Sequence, residues 1–164
     1  MVGGLGHQAA QGVRWISHPL KDSLMSQTIT VAVLQEGPST SVGTTRTHSV
    51  RIDRPNEKGG TDQGPMGGEL LLLGLGGCFM SNLLAAIKAR KAPVSEVQTM
   101  VEATLEGNPK HFTAYTLRVT ARCEDRDLLE KLVTIAERGC IVANSLREAA
   151  PITFVVETLD TPHR

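Results

Sequence analysis

Aromatic side chains are scarce, with three Phe, one Tyr and one Trp in 164 residues. Proteins that grip single-stranded nucleic acid stack bases on rows of such rings, so no platform of that kind is expected. Net charge is absent as well, because 17 basic and 17 acidic residues cancel. A neutral chain makes no electrostatic case for a phosphate backbone or an anionic membrane surface. Cysteine is limited to positions 78, 123 and 140, without a C-x-x-C or a regular Cys/His spacing. That pattern suits neither a secreted disulfide framework nor a structural zinc site. His48 and His111 fall in expected strands, where a hydrogen-bonded or exposed imidazole is commoner than a metal ligand. No metal or other cofactor is expected. The beginning of the chain lacks a basic stretch followed by an apolar core, and no apolar run is expected to reach bilayer-spanning length. A cytoplasmic protein with no membrane or nucleic-acid partner is the expectation.

What the chain does contain is alternation. Residues 1–25 mix Gly, Gln and Ser without a period and read as a poorly ordered extension, with Trp15 and Ile16 as its docking candidates. From residue 26 to 164 one domain is expected. Ile29, Val31 and Val33 alternate with polar or small neighbours, and residues 45–53 read as a second strand. Residues 94–105 and 112–123 predict an antiparallel pair, the latter placing Tyr115, Leu117, Val119, Ala121 and Cys123 on one face. Leu128, Leu129, Leu132, Ile135 and Ala136 recur at helical spacing behind an Asp125 or Asp127 cap. A short helix over 144–149 and a closing strand from Ile152 complete an α+β order of paired strands with helices between.

The chain is organised around residues 59–90. A loop with Gly59, Gly60, Gly64 and Pro65 leads into Glu69–Leu75, an almost wholly apolar helix. Glycine is a poor helix former, so Gly76–Gly77 predicts a joint, with a second helix starting at Cys78. Unpaired N–H groups in a first helical turn favour an anion, and the thiolate is the nucleophilic form of cysteine. The plainer reading of Cys78 is a small buried hydrophobe at a tight crossing. An apolar run with Leu70–Leu73 on every side calls for burial all round, which a dimer would supply.

The residues Gly60-Thr61-Asp62-Gln63-Gly64-Pro65, Glu69-Leu70-Leu71-Leu72 and Gly76-Gly77-Cys78 resemble those of the OsmC/Ohr superfamily, the osmotically inducible and organic hydroperoxide resistance proteins. The likeness continues through Phe112–Val119, Ala136–Cys140 with Asn144, and Ile152–Glu157, so it spans about residues 26–159. It implies an intertwined homodimer with antiparallel sheets wrapped on a long central apolar helix. It also implies a thiol-dependent peroxidase in which Cys78 attacks a peroxide, Cys140 resolves the sulfenic acid as a disulfide, and an external dithiol is the reductant. The family pairs the reactive thiolate with an Arg and with a Glu ten residues before the Cys. Here that position is Gly68, while Glu69 lies nine before, and Met66-Gly67 stands where the family has Asn-Pro. Arg54 matches the arginine best, with Arg51 as the fallback, and Cys123 is read as structural. Two other readings stay open: a non-catalytic member binding a small apolar ligand at the dimer interface near Leu72, Leu75 and Phe79, and another thiol or sulfur-transfer chemistry.

Overall fold

A computed structural model describes residues 27–149 and 151–159. The extension expected over residues 1–25, with Trp15 and Ile16, lies outside the described residues. Every element below belongs to the unit that starts at Val31. The order is β1 (Ala32–Gln35), β2 (Ser41–Thr45), β3 (His48–Ile52), a single 3-10 turn at Asn56–Lys58, α1 (Gly67–Arg90), β4 (Ser95–Glu106), β5 (His111–Arg122), α2 (Arg126–Gly139), α3 (Ile141–Arg147) and β6 (Ile152–Leu159). The α+β class is as expected.

Several boundaries differ from the sequence reading, each for a physical reason. The strand expected over 45–53 is instead the second half of a hairpin. Thr45 pairs with His48, and Arg46 takes a positive φ of 52° in the two-residue turn between them. A Thr-Arg-Thr-His run carries none of the Gly or Asn that usually announces such a turn. The first sheet runs β1-β2-β3 and is antiparallel throughout; the second runs β4-β5-β6. There β4 and β5 are antiparallel as predicted, whereas β6 joins β5 in parallel. The expectation of purely antiparallel sheets therefore fails at β6, because α2 and α3 carry the chain back before it enters the sheet.

The largest correction concerns α1, which is one continuous 24-residue helix running through Gly76 and Gly77 without a joint. Each glycine costs about 1 kcal/mol relative to alanine in a helix interior. Leu75 and Phe79, fully buried on either side, return about 1.5–3 kcal/mol each, so packing outweighs propensity. Gly76 is also sterically required, since a Cβ there would lie 2.9 Å from Val101 Cγ2 on β4. Two consequences follow. Cys78 is in mid-helix, not in a first turn, so the anion-favouring N–H groups invoked for it are absent. And α1 is long and apolar enough to cross a membrane by length and composition, contrary to the expectation that no run approaches that length.

One stripe of α1, Leu75, Phe79, Leu83 and Ala86, is buried. It meets Tyr115, Leu117, Val119 and Ala121 of β5 and Leu129, Leu132, Val133 and Ala136 of α2 in one core, with Phe79 and Phe154 of β6 at a ring separation of 5.0 Å. The i, i+2 spacing of β5 and the amphipathic spacing of α2 place these residues inward, with Asp125 accepting from Leu128 N at 2.9 Å as the α2 cap. The opposite face of β5 is polar, and its Arg122 pairs with Glu96 at 2.8 Å.

Other positions of α1 are left open by the described residues: Leu73 is 63% and Leu84 50% exposed. Among the described residues, burial all round is thus not achieved. Among the described residues, the first sheet makes no extended contact with the helices or the second sheet.

Candidate active site

The loop between β3 and α1 is built on a buried carboxylate. Asp53 is 2% exposed and accepts from Thr61 Oγ1 at 2.6 Å, Thr61 N at 3.1 Å, Gln63 N at 3.2 Å, Arg54 N at 2.8 Å and Thr40 Oγ1 at 3.3 Å. The Thr61 hydroxyl above all, joined by Ser39 and the backbone donors, holds Asp53 far below the usual carboxylate range despite the opposing effect of its burial. The loop is drawn so close that a Cβ on Gly60 or Gly64 would collide with the backbone carbonyls of Arg54 and Arg51. The Gly-Thr-Asp-Gln-Gly run is therefore accounted for by folding. Asp53 was missed from sequence because an acidic residue at a strand end looks like any solvated charge.

The two thiols expected to cooperate are brought together. Cys78 is half-buried on α1; Cys140 is fully buried at the elbow where α2 ends and α3 begins. They are neighbours, near enough that the Cys78 sulfur acts on the Cys140 thiol. Burial is the main cause that pushes the Cys140 thiol up, the Cys78 sulfur adds to it, and the N–H of Ala143, 3.4 Å from Cys140 Sγ, opposes it. Cys140 is thus held as a neutral thiol beside a more accessible one. The elbow falls one residue after Gly139, as the sequence suggests, but α3 starts at Ile141 and not at Asn144, because the Cys140 sulfur itself caps it.

Glu69 is not brought to the thiols. It is the third residue of α1, and its carboxylate accepts from Met66 N at 2.7 Å. Nine residues of helix put it about 13 Å along the axis from Cys78 and about 180° around it. Arg51 is bound to Glu36 through contacts of 2.7 and 2.9 Å. Arg54 is exposed, two positions past the end of β3, and among the described residues its side chain has no ion-pair partner. Cys123 is buried, its sulfur 3.1 Å from the Asp125 carbonyl, which fits a structural role.

An apolar cavity of about 630 Å³ opens on the Glu69 side of α1, lined by Leu72, Leu73, Met80 and Val101. Leu75 and Phe79, expected beside such a pocket, are instead fully buried core residues.

A mixed sheet packed on a long apolar helix, with one cysteine in that helix and a second at the elbow between α2 and α3, defines a class of small α+β thiol proteins. The sequence model of the family described as OsmC-like protein matches residues 60–155, more than half of the chain, and the chain belongs to that family. The fold is that of several solved structures. An OsmC-like protein from Mycoplasma pneumoniae superposes with a TM-score of 0.72 at 15% identity, covering 83% of this chain and 100% of that one. An organic hydroperoxide resistance protein from Elizabethkingia anophelis gives 0.66 at 18% identity, covering 82% and 100%. OhrB of Bacillus subtilis, an organic hydroperoxide resistance protein, gives 0.59 at 20% identity, covering 80% and 98%. No curated protein matches the sequence.

Proposed function

We propose that this chain is a thiol-dependent peroxidase acting on organic hydroperoxides or hydrogen peroxide, in defence against oxidative stress. The observation that carries this reading is the juxtaposition of an accessible Cys78 with a buried, protonated Cys140. Structural neighbours named for organic hydroperoxide resistance support a redox role.

In the first step the Cys78 thiolate forms an S–O bond as the peroxide O–O bond breaks. The leaving alkoxide takes a proton and departs as an alcohol, and sulfur is oxidised by two electrons to the sulfenic acid. In the second step the Cys140 sulfur forms an S–S bond with Cys78, and the displaced hydroxide leaves with the Cys140 proton as water. An external dithiol restores both thiols by exchange. Burial of Cys140 keeps the resolving proton in place until the sulfenic acid is formed. Arg54, exposed and uncommitted, is the arginine assigned to the thiolate, with Arg51 held by Glu36. Glu69 has no part, since it caps α1 on the far side.

The active form is a homodimer in the cytoplasm. The exposed Leu73 and Leu84 on α1, and the exposed Val33 and Val50 of the first sheet, are apolar area that a second copy would cover. The test is to treat the reduced protein with one equivalent of an organic hydroperoxide and map its disulfides by mass spectrometry. A Cys78–Cys140 disulfide in the wild type, with sulfinic acid at Cys78 in Cys140→Ser and no reaction in Cys78→Ser, is the expected result. Three unmodified thiols would overturn it.

The cavity beside Leu72 and Met80 favours a second reading, a non-catalytic protein that holds a small apolar ligand. Retention of a fluorescent fatty acid by both wild type and Cys78→Ser, with no peroxide reaction in the wild type, would support that reading instead.

A further inference from the structure

Asn82 stands out on α1. It is half-buried, one turn beyond Cys78 in a mostly apolar helix, where Asn is a poor helix former. Its Nδ2 donates to the Cys78 carbonyl at 2.8 Å. Its Oδ1 faces Gly139 so closely that a Cβ there would lie 2.8 Å away. Gly139 is the last residue of α2, and Cys140 follows it at the elbow. One carboxamide therefore touches both the backbone that carries Cys78 and the residue that precedes Cys140.

The elbow on the other side of this contact is tied together. Asn144 Nδ2 donates to the Arg138 carbonyl at 3.1 Å, and Arg147 bonds Asn144 Oδ1 at 2.8 Å and Glu137 at 3.0 Å. Because α3 is strapped to the end of α2, the elbow moves as a unit. Its seat on α1 at this point is the Asn82 side chain against a bare glycine. A larger residue at 139 would displace the Asn82 carboxamide or the elbow, and a smaller one at 82 would leave the elbow unsupported.

We infer that Asn82 is a positioning residue for the second step of the proposed reaction, setting the approach of the Cys140 sulfur to the Cys78 sulfenic acid while leaving the attack on peroxide alone. This rests on the peroxidase reading. Disulfide formation requires two sulfurs in a narrow geometry, and small misplacements of reacting groups cost rate steeply. The first step involves only Cys78 and the peroxide, and the Asn82 side chain bonds the Cys78 backbone, not its sulfur.

The experiment measures how Cys78 partitions between disulfide and sulfinic acid. Reduced wild type, Asn82→Ala, Asn82→Ser, Gly139→Ala and the Asn82→Ala/Gly139→Ala double variant are treated with graded cumene hydroperoxide and analysed by mass spectrometry. The rate of sulfenic acid formation is read in parallel by trapping with dimedone. In Asn82→Ala the trapping rate is unchanged, disulfide closure slows by about tenfold, and sulfinic acid accumulates. Asn82→Ser also over-oxidises, because its hydroxyl can donate to the carbonyl four residues back, as Ser145 does to Ile141 at 2.9 Å, but is too short to support Gly139. Gly139→Ala over-oxidises, and the double variant recovers in part, because the space left by the carboxamide accepts the new methyl. A purely structural role would lower melting temperature without moving this partition. Equal partition in wild type and Asn82→Ala overturns the inference while leaving the peroxidase reading intact. Failure of the wild type to form any disulfide overturns both.

Discussion

The two sheets are written in similar alternating sequence and meet opposite fates. On β5, Leu117 and Val119 are sealed under α1 and α2; on β1, Val33 is 60% exposed. The difference lies outside the strands. The second sheet is preceded and followed by helices whose apolar stripes need a partner, whereas the first sheet is connected to α1 through a loop held by Asp53 and, among the described residues, finds no helix to cover it. Alternation thus reports which residues share a face, not whether anything lies on that face.

The comparison is broken most forcefully in the core. Phe79→Ala should destabilise the protein by about 3–5 kcal/mol, through lost burial and the cavity left beside Phe154. Val33→Ser in the first sheet should change the stability of an isolated copy by under about 0.5 kcal/mol. Equal losses in denaturant melts would mean that the first sheet is covered as firmly as the second.

Asp53→Asn should rank next, lowering the melting temperature by several degrees, because the amide turns N–H groups toward donors that now face a carboxylate. The sign with pH is definite. The folded-state pKa of Asp53 is depressed, so its contribution is fully present above the unfolded value of about 4 and is lost as pH falls toward the folded one. The gap between wild type and variant should be constant near neutrality and close in acid; a gap that widens there would refute the assignment.

On the bare face of α1, Leu73→Ser with Leu84→Ser should leave an isolated copy little changed but weaken self-association. The proper measure is sedimentation together with the concentration dependence of the melting temperature. A double variant that sediments and melts like the wild type at every concentration would show that this face is not an interface between copies. Arg51→Ala should have the smallest effect, with no measurable shift in melting temperature, because its pairing with Glu36 is solvent-exposed.

Much of this molecule was legible in the order of its residues. The alternation of Tyr115, Leu117, Val119 and Ala121, the Asp125 cap and the spacing of Leu129, Leu132 and Ala136 are local patterns, and local patterns survive folding because strand and helix have fixed periods. The pair Cys78 and Cys140 could be named as candidates, and the likeness of the Gly-Gly-Cys stretch told which family to expect. What the sequence could not decide were the contests between local preference and long-range packing. Gly76–Gly77 reads as a break, but packing on β4 and the core around Leu75 and Phe79 keeps the helix continuous, which removes Cys78 from a helix end and turns Glu69 to the opposite side. Likewise only the three-dimensional path sets β6 parallel to β5, gathers five donors on Asp53, and closes Asn82 against Gly139 beside the two thiols. Those arrangements join residues far apart in the chain, and their energy exists only once the chain has folded.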